Sequence, residues 1–360
     1  MWGKGGKLNW LISRSKDWMD CANLVLQLLK PDDSSIASSM STLIDSSVSL
    51  PLSSPHLLSR ANIPQPPPPV PLPLVAAVQM CSTNDKTSNL AKTKLFVTEA
   101  VRLGASFICL PECCCFMGHD SAETLANAEA IDGPYLSALA LLANDNKVWI
   151  SVGGFPLITQ IAGGVGGGGE SEEGCHRKVS NLHVVIDPEG KIRAEYKKIH
   201  LFDSPLAQLF ESKNTVAGSQ VSIVPDSPLG IVGLTICYDL RFPELFSKLC
   251  RPSDAGGLAA DVVLVPSAFT AKTGEAHWEV LLRSRAIENQ VYVVAAAQCG
   301  QHNPRRRSHG HTIIIDPWGR ILAECDGEKE GFCMAPINLS LLEKIREEMP
   351  VMMHRRPDTY

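Results

Sequence analysis

The sequence predicts an α/β fold in which helices cover mainly parallel or mixed sheets, with two sheets of similar design in one domain. From Leu74 onward, apolar runs of strand length alternate with amphipathic segments of helix length in the order β-α-β-α-β. Two segments, "LHVVIDPEGKIRAEYKK" (182–198) and "HTIIIDPWGRILAE" (311–324), repeat one pattern of an apolar run, Asp-Pro-x-Gly, a basic residue and an alternating run. Each reads as a β-hairpin with a Pro-x-Gly turn. At 360 residues and 44% hydrophobic, the chain can bury a large core in one domain of about 250–300 residues plus an extension.

Taken in order, residues 1–73 stand apart. They hold Trp2, Trp10 and Trp18, a Ser-rich stretch from Ser34 to Ser59, and a closing "PQPPPPVPLP". Such composition buries little apolar area and reads as disorder ending in a polyproline linker. Residues 7–29 are loosely periodic and could form a short helix. A mitochondrial or plastid transit peptide is the alternative for this leader, but its five aspartates argue against one.

The domain is expected over 74–345, with 346–360 a C-terminal tail. "LVAAVQM" (74–80) reads as a strand and 86–104 as an amphipathic helix ending at a Gly cap. "ASFICLPE" (105–112) is a strand, 133–146 a helix and 147–154 a strand. The run "GGVGGGGE" (163–170) lacks a following Gly-Lys-Ser/Thr and reads as a flexible hairpin loop rather than a phosphate cradle. Between the two hairpins lie strands at 220–224, 230–236, 261–265 and 291–297, with helices near 242–250 and 275–290. A last helix covers 339–349.

Composition excludes several classes. A net charge of −5 gives no chain-wide basic footprint for nucleic acid. No apolar run reaches the roughly 18–20 residues that span a bilayer. Twelve cysteines in a chain without a signal peptide, three of them vicinal (Cys113, Cys114, Cys115), imply free thiols in a reducing compartment, hence a cytoplasmic location.

Cys237 follows the buried-strand run "IVGLTI" and enters a turn before a helix-like segment. Backbone N–H groups point outward at such a junction, which lowers a thiol pKa and can hold an oxyanion. A packed core cysteine is the alternative. Glu112 ends an apolar strand, a setting that raises a carboxyl pKa; a solvated loop glutamate is the alternative. Lys198 ends a strand whose alternation puts Tyr196 and Lys198 on one face and Lys197 on the other; a solvated lysine pair is the alternative.

The three segments "LPE", "YKKIHLFD" and "TICYDLRFPEL" together resemble the Glu-Lys-Cys triad of the nitrilase superfamily, the carbon–nitrogen hydrolases. The resemblance continues through 263–298 and 309–319 and covers about 74–358. Within the superfamily, "PSAFTAKTGEAHWE", "AAAQCGQHN" and "HRRPDTY" look most like the branch that hydrolyses deaminated glutathione, more than like the ω-amidases.

The resemblance implies a four-layer αββα sandwich with its site at strand ends. It implies Cys237 as nucleophile and Glu112 as general base for the thiol and then for water. Lys198, with the Tyr238 N–H, would stabilise the oxyanion and act as proton donor. Glu211 would position substrate and base, and Thr273 would line the pocket. The reaction would run in two halves: ammonia leaves, a thioester forms, and water releases the acid. No metal or organic cofactor is required, and the partner is a small anionic amide. The family usually forms homodimers through its helices. Arg241, four residues after the nucleophile, can pair with a substrate carboxylate or form a salt bridge with Asp239 or Glu244.

Some features depart from the family pattern. "SPLAQLF" (204–210) is shorter than usual beside the pocket, and "CRPSDAGGLAAD" (250–261) is longer. His309 and His311 read as alternate strand residues without carboxylate partners, and "PECCCFMG" lacks a second Cys/His pair, so no metal site is expected.

Overall fold

The computed structural model describes residues 71–160, 177–251, 257–356 and 358–359. The readings of the leader up to residue 70 and of the Gly-rich run fall outside the described residues, as does the middle of the 250–261 loop.

In chain order the strands are β1 (Leu74–Gln79), β2 (Ala105–Leu110), β3 (Trp149–Gln160), β4 (Arg177–Ile186), β5 (Ile192–Lys197), β6 (Asp203–Ser204), β7 (Leu209–Phe210) and β8 (Ile223–Ser227). They continue as β9 (Gly230–Leu234), β10 (Val262–Leu264), β11 (Tyr292–Ala295), β12 (Cys299–Asn303), β13 (Arg306–His309), β14 (Ile313–Ile315), β15 (Ile321–Glu324) and β16 (Gly331–Pro336). The α-helices are α1 (Lys86–Arg102), α2 (Ser121–Ala126), α3 (Pro134–Asn146), α4 (Pro243–Cys250), α5 (Ala271–Asn289) and α6 (Leu339–Glu348).

Two six-stranded sheets follow one plan. The first runs β16-β1-β2-β3-β4-β5 and the second β8-β9-β10-β11-β14-β15. Each has three parallel strands, β1-β2-β3 or β9-β10-β11. Each has an antiparallel strand on one edge, β16 or β8, and an antiparallel hairpin on the other, β4-β5 or β14-β15. The two Asp-Pro-x-Gly turns close those hairpins with the same bonds. Asp187 accepts from the N–H groups of Glu189 and Lys191, and Asp316 from those of Trp318 and Arg320. Gly190 and Gly319 both sit at left-handed φ, +78° and +82°, as the turn requires.

Strand alternation separates the layers. Val75, Ala77, Phe107, Cys109 and Val185 of the first sheet join a core with Val232, Leu234, Val263 and Val293 of the second. Their neighbours Ala76, Val78, Ile108, Leu110 and Val184 pack instead with Val97, Ala100, Leu136 and Leu139 of α1 and α3. Phe246 of α4 and Trp278, Leu282 and Ala286 of α5 pack with the core of the second sheet. The result is the expected αββα sandwich.

The expected strands and helices appear with ends shifted by a few residues. Not expected were the short helix α2, the strand β16, which pairs with β1 across some 250 residues of chain, and the β12-β13 hairpin. The shortened 204–210 segment closes the small β6-β7 hairpin. Among the described residues, no helix is long and apolar enough to cross a membrane.

Candidate active site

Glu112, Lys198 and Cys237 each lie just beyond the C-terminal end of a strand: β2, β5 and β9. The structure brings them together. Lys198 Nζ lies 3.1 Å from Glu112 Oε1 and 2.9 Å from Glu211 Oε2. The Cys237 thiol and the Glu112 carboxylate are near enough to act on each other's pKa. The Ala268 N–H donates to Glu112 Oε2 at 3.0 Å, and the Phe202 N–H to Glu211 Oε2 at 2.8 Å. Tyr196 and Lys198 are buried and Lys197 is exposed, as the alternation required.

The backbone is shaped for this approach. Cys237 adopts φ +47°, unusual for a residue with a side chain, at the start of a 3-10 turn spanning Cys237–Arg241. Its N–H is held by the Pro266 carbonyl at 2.9 Å. No acceptor among the described residues takes the Tyr238 N–H, which leaves it available to an oxyanion. Beneath Glu112, Gly154 has φ +65°, and a Cβ there would come within 2.3 Å of Glu112 Cγ. Only glycine allows the carboxylate to sit so close to β3.

Electrostatics reverse two expectations. The Cys237 thiol is pushed well up, not down, first by burial and then by the Glu112 charge, with Lys198 opposing. Glu112 is held below the usual carboxylate range, not above it. Burial pushes it up, but Lys198, the neighbouring Cys237 thiol and Arg306 outweigh that. Lys198 is buried, yet the two glutamates and Cys237 hold its pKa well above the lysine range. The resting site is therefore a protonated thiol, an ionised carboxylate near it, and a fixed ammonium.

Sequence reasoning missed two residues. Asn181 on β4 donates Nδ2 to Glu112 Oε1 and Glu211 Oε1, both at 3.0 Å. Its backbone carbonyl accepts from the Lys198 N–H at 2.9 Å. Counting back from the Asp187–Gly190 turn would have found it, since Leu182 faces Lys197 in the hairpin register. Asp239, fully buried two residues after Cys237, accepts from the Tyr196 hydroxyl, the Ile236 and His200 N–H groups, and His200 Nδ1. It ties the Lys198 segment to the Cys237 turn.

The expected binding residues are placed unevenly. Arg241 forms no salt bridge with Asp239 or Glu244; it meets His277 Nδ1 at 3.2 Å and packs against the Tyr238 and Phe269 rings. Thr273, in the first turn of α5, hydrogen-bonds Thr270, and no bond links it to the triad. His311 does have a carboxylate partner, Glu324 at 2.9 Å. Strand β13 ends at His309, and His311 lies at φ +58°, so the two are not alternate residues of one strand. Among the described residues, no group of three or more His, Cys, Asp or Glu is placed to hold a metal.

The family model described as carbon–nitrogen hydrolase matches residues 74–347. The chain belongs to the carbon–nitrogen hydrolase family. It is 43% identical over 290 residues to the deaminated glutathione amidase of Rattus norvegicus, covering 80% of this chain and 83% of that protein. Among solved structures, the NitFhit protein of C. elegans matches with a TM-score of 0.68 and 40% identity, over 80% of this chain and 66% of that one. Saccharomyces cerevisiae Nit3, a member of branch 10 of the nitrilase superfamily, matches with a TM-score of 0.64 and 28% identity, over 79% and 96%. The superfamily resemblance read from the motifs and the αββα fold are both borne out.

Proposed function

We propose that this hydrolase is an amidase acting on deaminated glutathione through a Cys237 thioester. The observation that carries the chemistry is the buried Glu112–Lys198 pair at 3.1 Å, with the Cys237 thiol close enough to couple to both. The substrate reading rests on the amidase relatives at 43% identity.

Glu112 takes the thiol proton as Sγ attacks the amide carbonyl carbon. The Lys198 ammonium and the Tyr238 N–H stabilise the tetrahedral oxyanion. Glu112 returns the proton to the leaving nitrogen, the C–N bond breaks, and the acyl group remains on Sγ. Glu112 then takes a proton from water, whose oxygen attacks the thioester. Collapse expels Sγ, which regains its proton from Glu112, and the acid leaves. Lys198, with its raised pKa, serves as fixed charge rather than as proton donor. Glu211 and Asn181 position the ammonium and the base, while Arg241 and Thr273 are the binding residues of this reading.

The expected ammonia needs revision on chemical grounds. Deaminated glutathione has only secondary amides, so the leaving group is an amine. Cleavage of its oxidised glutamyl link yields 2-oxoglutarate and cysteinylglycine. Ammonia would come from a primary amide such as α-ketoglutaramate, the substrate of the ω-amidase alternative. The test is to incubate the protein with each and measure 2-oxoglutarate and ammonia separately. Turnover of α-ketoglutaramate alone would replace the proposed substrate.

The reading includes a homodimer and a cytoplasmic location. The ten described cysteines are all free thiols, which supports a reducing compartment. Light scattering on the purified chain tests the assembly.

A further inference from the structure

Arg305, Arg306 and Arg307 are consecutive at the β12-β13 hairpin, and the strand separates their side chains. Arg305 and Arg307 are exposed, and Arg307 pairs with Glu328. Arg306 is turned inward and half-buried, opposite Asn303. Its Nε is buried and meets no acceptor. Among the described residues no carboxylate pairs with its guanidinium. Native structures seldom leave a buried donor without a partner, and an exception calls for a reason such as a ligand.

The hairpin is fastened to the site. Ser308 bridges to Thr270, the His309 N–H donates to the Phe269 carbonyl, and the Gly310 N–H to that of Gln298. Gln298 in turn donates to the Glu112 carbonyl at 3.0 Å, and Ala268 donates to the Glu112 carboxylate. The Arg306 charge acts on both Glu112 and Cys113.

We propose that Arg306 is a carboxylate anchor of the substrate site, separate from Arg241, and one reason the site takes anionic amides. This rests on the amidase reading and names the residue behind its substrate class. Glu112, Glu211 and Lys198 together leave the site one negative charge in excess, which repels an anion. Arg241 rises from the nucleophile turn and Arg306 from a different hairpin. Two cations on separate elements suit a substrate with a carboxylate at each end. A guanidinium edge, Nε with one Nη, binds a carboxylate through two parallel hydrogen bonds.

The test compares wild type with Arg306→Met, Arg306→Lys and the exposed control Arg305→Met. Alkylation of Cys237 by iodoacetate and by neutral iodoacetamide is followed on the Cys237 peptide by mass spectrometry. Arg306→Met should lower the iodoacetate-to-iodoacetamide rate ratio about 10-fold, and Arg305→Met should leave it unchanged. Arg306→Lys should restore the ratio in part, yet still raise KM for deaminated glutathione. The Met variant should raise that KM by about 10- to 100-fold. An unchanged ratio, or equal slowing with both reagents, would overturn the proposal, the latter because Arg306 would then act only through Glu112. If wild type fails on deaminated glutathione, the substrate reading falls while the alkylation ratio still judges Arg306.

Discussion

The Tyr196 hydroxyl donates a 2.7 Å hydrogen bond to Asp239, joining the strand that carries Lys198 to the turn that carries Cys237. Both residues are buried, and Asp239 accepts three further donors. Asp239→Ala would strand these donors at once. The expected cost is about 3 kcal/mol of stability, read by chemical denaturation, with near-complete loss of turnover. Tyr196→Phe removes one donor and should cost about 1 kcal/mol. If Tyr196→Phe matched Asp239→Ala in its effect, the carboxylate would not be the hub.

Asn181 lies between two carboxylates and holds both through one amide nitrogen. Asn181→Asp replaces a shared donor with a third negative charge. The Glu112 pKa should then rise, moving the acid limb of kcat/KM to higher pH, with kcat falling about 10- to 100-fold. Asn181→Leu should shift the limb the same way but less. A lowered kcat with an unmoved limb would mean that Asn181 does not act through Glu112.

Lys198 is the only cation bonded to the Glu112 and Glu211 carboxylates among the described residues. Lys198→Met leaves the buried Glu112 and the half-buried Glu211 carboxylates without their shared cation and should cost about 3 kcal/mol. One of them should then take up a proton near neutral pH. Infrared detection of a protonated carboxyl in this variant, absent from wild type, checks the prediction.

The pH dependence follows from these directions. Glu112 is depressed in the folded state, so the stability it contributes is complete above the ordinary carboxylate range and is lost as pH falls through its folded value. Lys198 is raised, so its contribution is complete below the ordinary lysine range and is lost as pH rises through its folded value. Activity should accordingly be flat across neutral pH, with an acid limb below the usual glutamate range. Because the Cys237 thiol is pushed up, no thiolate should appear by ultraviolet absorbance near pH 7 in the free protein. A thiolate titrating near neutrality would contradict the resting state described above.

The paired sheets were legible because local chemistry writes them. Asp187 and Asp316 sit in turns whose hydrogen bonds lie within five residues of chain, so each hairpin announces itself. The triad was legible through its flanking motifs and the alternation around Lys198. Strand β16 was not, because its pairing with β1 depends on residues far apart in sequence. The pKa directions of Cys237 and Glu112 were missed for a related reason. Each is set by partners from other strand ends, and burial raises a thiol just where a turn alone would lower it. Asn181 and Arg306 matter through register and orientation, which composition does not carry.

The most direct test of the mechanism is intact-protein mass spectrometry after acid quench during turnover of deaminated glutathione. The expected result is a transient mass gain equal to the 2-oxoglutaryl group, localised to the Cys237 peptide, absent in Cys237→Ala, with turnover lost in that variant. Turnover persisting in Cys237→Ala, or an acyl adduct on another residue, would contradict Cys237 as the nucleophile.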